Sequence, residues 1–343
     1  MKKLLLTLLF IFSSSAFAKS VKIEVIHSYP PGDWSHGIDG SITDVLKSNK
    51  IEHDLKSIVF HAEYWRRKDE ELRKTEQDRL VKEIADYNPE LIVLVDDEAA
   101  DFLASRLKTL NKPIFFTGIN QIEKDIVWLQ GKDRDKFAGV FEIYQIQKGN
   151  DLLRGFNNKA KNISVLTSNS ATSQILADQF TADFSENGKF GKSGFKLRKI
   201  YKLPFWSQWK EAVKEINSKD DAVWILVPYD VRDSNNQELL VVEMGKWLTA
   251  NLKKPSIGIL GVNTRIGLLA SVNTHAEGLG KQVAELIVRN LKGETLPKIG
   301  FQHSRYYKLE VNKVEMNRLK LSIPENLSPE ISILTNEGLK YGR

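Results

Sequence analysis

The chain reads as an α/β protein made of two doubly wound parallel-sheet domains with an interdomain cleft. Three observations predict this. Residues 91–95 (Leu-Ile-Val-Leu-Val) and 113–116 (Pro-Ile-Phe-Phe) are short apolar runs separated by a helical stretch, residues 99–110. Runs of that kind are the buried parallel strands of a βαβ unit. The strand–helix alternation then restarts near residue 162 in similar order. Both strong strands end in polar residues, and open α/β sheets bind ligands at those carboxyl ends.

The elements follow in order. Residues 21–26 alternate and then turn apolar, giving a first strand, and 27–35 form a loop rich in Pro and Gly. Ile38, Ile42, Val45 and Leu46 predict a helix over 38–47. A second strand is expected within 51–60, a charged helix over 70–87, and a short exit strand over 137–142. The second array offers strands at 162–167, 195–200, 222–227, 256–260 and 268–272. Helices are expected at 174–184, 206–216, 239–252 and 277–291, the last closed by Gly293, which suits a helix C-terminus.

The first residues set the compartment. Met1-Lys2-Lys3 is basic, Leu4 to Phe12 is apolar, and Ala16-Phe17-Ala18 is a small-x-small cleavage site before Lys19. This is the pattern of a bacterial signal peptide over residues 1–18. The apolar run is well short of the ~20 residues that span a bilayer. With no cysteine in the chain, neither a lipid at the cleavage site nor a disulfide is expected. The mature protein is expected to be soluble and periplasmic.

Net charge is +6, or +4 without Lys2 and Lys3. The charges are mixed, as in Arg66-Arg67-Lys68-Asp69-Glu70-Glu71, so they read as solvated helix faces and not as a nucleic-acid stripe. His27, His36, His53, His61, His275 and His303 show no metal-ligand spacing. Residues 188–193 (Gly-Lys-Phe-Gly-Lys-Ser) lack the spacing of a phosphate loop, and no Gly-x-Ser-x-Gly elbow exists. No catalysis, cofactor, metal or nucleic-acid partner is expected.

The candidate binding residues stand at strand ends. Asp96, Asp97 and Glu98 suit a helix start, where acids cap free N–H groups. Three in a row exceed what one cap needs, so at least one is expected to face the cleft and pair with a ligand ammonium or hydroxyl. Tyr29 and Trp34, on the first-strand loop, either stack on a ligand ring or close the loop. Tyr64 and Trp65 have similar status. Thr117 and Asn120 end the second strong strand and either bond a polar solute or form an ordinary turn. Ser168, Ser170 and Thr172 open a helix, a natural place for a ligand carboxylate or for plain capping. Tyr229 and Asp230 follow the strand of Trp224. An acid for the ammonium group and a helix start for the carboxylate together suit an amino acid.

Four segments carry a family resemblance. They are residues 27–34 (His-Ser-Tyr-Pro-Pro-Gly-Asp-Trp), residues 96–103 taken with 113–120, residues 139–142 (Gly-Val-Phe-Glu), and residues 278–280 running to Leu291-Lys292-Gly293-Glu294-Thr295-Leu296-Pro297. Together they resemble the ABC-transporter substrate-binding protein family. The branch is the uncharacterised ABC-type one with the type I periplasmic binding protein fold, close to members that serve as sensory domains. The chain departs from the family pattern in having no His after Tyr29 and an extra Pro.

The resemblance implies more than one crossing between domains. The first domain would hold residues 19–142 plus about 273–305, and the second 143–272 plus about 306–343. The helix from Glu277 would return to the first domain and residues 306–321 would pack on the second. Hinges are expected near Glu142-Ile143 and Val272-Asn273. The implied function is periplasmic capture of a small molecule, an amino acid being the best class, by a monomer that serves an ABC permease. The alternative is a ligand sensor signalling to a membrane histidine kinase or cyclic-dinucleotide enzyme.

Overall fold

The computed structural model describes residues 20–65, 67–185, 195–323, 325 and 331–335. The expected leader (1–18), the 188–193 segment and the side chain of Thr172 lie outside the described residues. The first array runs β1 (Val21–His27), α1 (Asp33–Ser48), β2 (His53–Val59), α2 (Ala62–Trp65), α3 (Glu70–Tyr87), β3 (Leu91–Val95), α4 (Asp97–Leu107), β4 (Ile114–Ile119) and β5 (Phe137–Phe141). The second runs α5 (Ile146–Phe156), β6 (Asn162–Thr167), α6 (Ala171–Asp183), β7 (Lys196–Lys202), α7 (Trp206–Lys219), β8 (Ala222–Ile225), α8 (Val241–Asn251), β9 (Ser256–Gly258), α9 (Gly261–Arg265) and β10 (Ala270–Asn273). The chain ends with α10 (Ala276–Leu291), α11 (Leu296–Ile299), β11 (Phe301–His303), β12 (Lys308–Asn312), α12 (Lys313–Arg318) and β13 (Ile331–Leu334).

Two sheets result. The first has the order β11-β5-β4-β3-β1-β2 and is parallel throughout. The second has the order β13-β12-β10-β9-β8-β6-β7, with β10 and β12 its antiparallel pair. Helices cover both faces of each sheet, which is why β3, β4 and β8 are buried along their length and β3 and β8 are apolar at every position. On one face of the first sheet, Ile23 and Val25 of β1 meet Ile38, Ile42 and Leu46 of α1 and Leu279, Val283 and Ile287 of α10. On the other face, Ile92 and Leu94 meet Leu80 and Ile84 of α3 and Leu103 and Leu107 of α4. The second sheet is packed likewise around Trp224 on one face and Trp209 on the other.

Helices α1 and α10 touch backbone to backbone. A Cβ on Gly280 would lie 2.5 Å from the Ile38 carbonyl oxygen, and one on Gly37 would lie 2.8 Å from the Ala276 Cβ. Glycine is the residue that permits this approach.

The chain passes between the sheets three times, at residues 142–145, 274–275 and 304–307. These crossovers are tied together. The Ile143 N–H donates to Ser304 Oγ (3.0 Å), the Ile143 carbonyl accepts from Ser304 Oγ (3.4 Å) and Thr274 Oγ1 (3.5 Å), and the Ser304 N–H donates to the Phe141 carbonyl (2.7 Å).

Some expectations shift. Helix α1 starts at Asp33, so Trp34 stands on its first turn and not on a loop. Ser35 explains the early start: its Oγ accepts from the Gly32 N–H (3.0 Å) and donates to the Gly32 carbonyl (3.1 Å). Strands β8 and β9 end at Ile225 and Gly258, before the apolar runs do. Helix α5 has no counterpart among the sequence expectations, although Ile146, Leu152, Leu153 and Phe156 supply its buried face.

Candidate functional site

The order β2-β1-β3-β4-β5 reverses direction between β1 and β3, and β7-β6-β8-β9-β10 reverses between β6 and β8. In doubly wound sheets the crevice at such a switch point, outside the carboxyl ends, is where ligands sit. In the first sheet this brings the β1–α1 loop against the β3–α4 turn. In the second it brings the β6–α6 turn against the loop after β8.

At the first switch point Ser28 does the capping. Its Oγ accepts the Ala99 N–H of α4 (2.9 Å) and donates to the Val95 carbonyl (2.8 Å). The acids are thereby released for other partners. Asp96 makes no side-chain cap bond; the Trp34 indole N–H donates to its Oδ1 (3.1 Å) and Oδ2 (3.3 Å). Its backbone has φ 68° and ψ 163°, a region that costs a non-glycine residue about 1–3 kcal/mol and clusters at functional sites. Gly118 makes room for it, since a Cβ there would lie 2.8 Å from Asp96 Oδ1. Asp97 accepts the backbone N–H groups of Asn120 and Gln121, each at 3.1 Å from Oδ1. Glu98 accepts from the Tyr29 hydroxyl (2.7 Å).

Tyr29, Trp34, Asp96, Asp97 and Asn120 therefore form one cluster. Glu142, placed by the first crossover, joins it through Asn120: the Asn120 Nδ2 lies 3.4 Å from Asp97 Oδ2 and 3.5 Å from Glu142 Oε2. Sequence reasoning took Glu142 for a strand exit and hinge. The signal that marked Asp96, an acid directly after a buried apolar strand, was present at Glu142 too. Thr117 does not join. It is fully buried, and its Oγ1 donates to the Leu279 carbonyl of α10 (3.5 Å).

At the second switch point four hydroxyls converge. Ser173 Oγ lies 2.8 Å from both Ser168 Oγ and Ser170 Oγ, and Thr167 Oγ1 donates to it (3.0 Å). Ser170 caps α6 by accepting the Ser173 N–H (3.2 Å). Tyr229 and Asp230 are exposed on the loop after β8, with the Asp230 N–H donating to Glu238 Oε1 (3.2 Å).

The electrostatics of the acid cluster are one-sided. Among the described residues neither Asp96, Asp97 nor Glu142 has a basic partner. Burial pushes the Asp97 carboxyl up to about 6, against the Asn120 and Gln121 N–H groups, which favour its charge. Burial and then the Asp97 charge push Glu142 up to about 8, with hydrogen bonds from Asn120 and Thr274 opposing. Burial and then Glu142 raise Asp96 well above the carboxylate range. Tyr144, coupled to the same acids, is raised by burial and then by Glu142. Yet no group of three or more His, Cys, Asp or Glu among the described residues is arranged to hold a metal ion.

A pH dependence follows. Folded Asp97 and Glu142 keep protons that the unfolded chain releases near 3.8 and 4.5. Stability is therefore lost as pH rises through about 6 and about 8. Buried Glu24, raised to about 7, adds to the same slope. The ligand-free protein should melt higher at pH 5 than at pH 8; calorimetry showing the reverse order would contradict these assignments.

The comparisons agree with this fold. The sequence model of the family described as ABC transporter substrate binding protein matches residues 41–332. No curated protein matches the chain in sequence. Among solved structures, a conserved domain protein from Vibrio cholerae is 18% identical, with a TM-score of 0.61 over 92% of this chain and 99% of its own. A substrate-binding protein with adhesive properties from Clostridium difficile, in its ligand-free, open structure, is 19% identical, with a TM-score of 0.67 over 92% and 100%. An ABC domain from Streptococcus pneumonia in complex with L-Trp is 20% identical, with a TM-score of 0.58 over 91% and 100%. At these identities the likeness speaks for the fold.

Proposed function

The chain belongs to the ABC transporter substrate-binding protein family, and from that premise we propose that it captures an amino acid in the cleft between its two domains. The observation that carries the reading is the group Asp96, Asp97 and Glu142, gathered at a switch point with no basic partner among the described residues. A protonated amine is the natural counter-ion. At the other switch point, the hydroxyls of Ser168, Ser170 and Ser173 at the start of α6 suit a carboxylate. Tyr29 and Trp34 shape the wall beside the amine. The L-Trp held by the Streptococcus domain supports the amino-acid class.

In this reading residues 1–18 direct export. The first domain comprises 19–142 with about 273–305, and the second 143–272 with about 306–343. The domains close about the crossovers, and the ligand stabilises the closed state by its differential affinity for it. The ligand leaves unchanged, and the closed monomer presents it to an ABC permease. Presentation to a membrane histidine kinase or cyclic-dinucleotide enzyme is the second reading, favoured by the acidic 96–98 turn and its resemblance to sensory members.

A thermal-shift screen of amino acids, nucleosides and sugars tests the proposal. At 100 times its Kd a ligand adds about 2.7 kcal/mol, which for a chain this long is a shift of several degrees. One amino acid should give that shift and be recovered intact by mass spectrometry. A shift from sugars alone would refute the ligand class, and chemical conversion would refute simple binding.

A further inference from the structure

We propose that Glu142 is the residue by which the cleft selects a positively charged amine and passes its capture to the hinge. The proposal rests on the cleft reading above and assigns selection and coupling to a side chain on the crossover itself.

The argument begins with hydrogen-bond supply. The Asn120 amide has two hydrogens, and three acceptors surround its nitrogen: Asp97 Oδ2 (3.4 Å), Gly118 O (3.3 Å) and Glu142 Oε2 (3.5 Å). All three contacts are long, so the Asn120 amide serves none of them well, although Asp97 Oδ2 also accepts the Asn120 backbone N–H (3.1 Å). The Asn120 Oδ1 is itself buried and has no partner. The titratable groups coupled to Glu142 are Asp96 and Asp97 at α4 and Tyr144 on the crossover. All are acidic. A buried group of acids with no basic partner among the described residues is best served by donors that also carry positive charge. An ammonium group brings three donors and one charge, and the acids lack the arrangement of a metal site among the described residues.

The coupling is geometric. The Glu142 N–H donates to the Ile119 carbonyl of β4 (2.8 Å), which anchors the residue to the first sheet. The next residue, Ile143, is bonded to Ser304 and Thr274, one from each of the other two crossovers. Thr274 also favours the charged form of the Glu142 carboxyl. A cation drawn to Glu142 thus acts at the point where all three connections meet. In the empty cleft near neutral pH this carboxyl holds its proton; on capture the O–H bond gives way to an ammonium–carboxylate pair and the proton leaves to solvent.

Each of the 20 L-amino acids and its N-acetyl form, which lacks the ammonium charge, is the probe set. Isothermal titration at pH 6, 7 and 8 in buffers of differing ionisation enthalpy reads affinity and protons released. Wild-type protein should bind a free amino acid but not its N-acetyl form, release protons near pH 7, and bind more tightly as pH rises. Glu142→Gln should weaken binding about tenfold or more, flatten the pH dependence, and leave the ligand-free melting temperature no lower. At saturation it should contract less than wild type by small-angle scattering. Glu142→Asp, which keeps the charge, should recover part of the affinity. Equal affinity and proton release in wild type and Glu142→Gln would overturn this inference and leave the cleft reading standing. Failure of wild type to bind any of the 20 would overturn both. Should Glu142→Gln not fold, wild-type binding without proton release would still overturn the inference.

Discussion

Asp97→Ala is expected to abolish capture and to lower the melting temperature by several degrees. The carboxylate is the acceptor for two backbone N–H groups, Asn120 and Gln121, and so shapes the turn after β4 as well as the proposed site. Stranding those donors costs roughly 2–4 kcal/mol in all. Asp97→Asn separates the two roles. It keeps an oxygen for the turn and removes the charge, so calorimetry should find a milder loss of stability while titration finds binding lost as in Asp97→Ala. Wild-type affinity in Asp97→Asn would remove this residue from the site.

Gly280→Ala should destabilise by about 2–3 kcal/mol, against its helix propensity. Alanine in a helix interior is favoured over glycine by about 1 kcal/mol. The new Cβ, however, would sit 2.5 Å from the Ile38 carbonyl oxygen and 2.8 Å from its Cα. Backbone atoms of a packed helix do not rotate out of the way, so α1 and α10 must separate, and overpacking of this kind typically costs 1–3 kcal/mol or more. Gly40 is the control. It lies on α1 with nothing within 4 Å of its would-be Cβ, so Gly40→Ala should stabilise by about 1 kcal/mol. Equal shifts in the two variants would mean that the close helix contact does not govern stability.

How far the sequence could be read depended on the range of the interactions. Strands β3 and β8, and β4 up to Phe116, are continuous apolar runs because helices cover both faces, so a local pattern reveals them. The short elements α9, α11 and β11 span three to five residues each, too few for any period to emerge. At the site, Asp96 and Asp97 stood out because acids follow a buried strand at once. Their partners did not: Trp34 reaches Asp96 across 62 residues and Tyr29 reaches Glu98 across 69. Thr117 looked like a binding group at a strand end, but α10, 162 residues further on, covers it. That Asp96 does not cap α4 could not be read locally, because the cap comes from Ser28 and depends on β1 and β3 lying side by side.

Strand β7 has a consequence for how this chain lives among copies of itself. It is the outermost strand of the second sheet, paired on one side to β6, and it carries Lys196, Arg198, Lys199 and Lys202 within seven residues. A bare strand rim invites another backbone to dock, and lysines along it are a common deterrent. Arg198 and Lys199 are paired with Glu215 and Asp220, so two such rims brought together would oppose chiefly Lys196 and Lys202. The chain thus discourages rim-to-rim polymerisation by electrostatic means, and the deterrent should weaken as salt screens it.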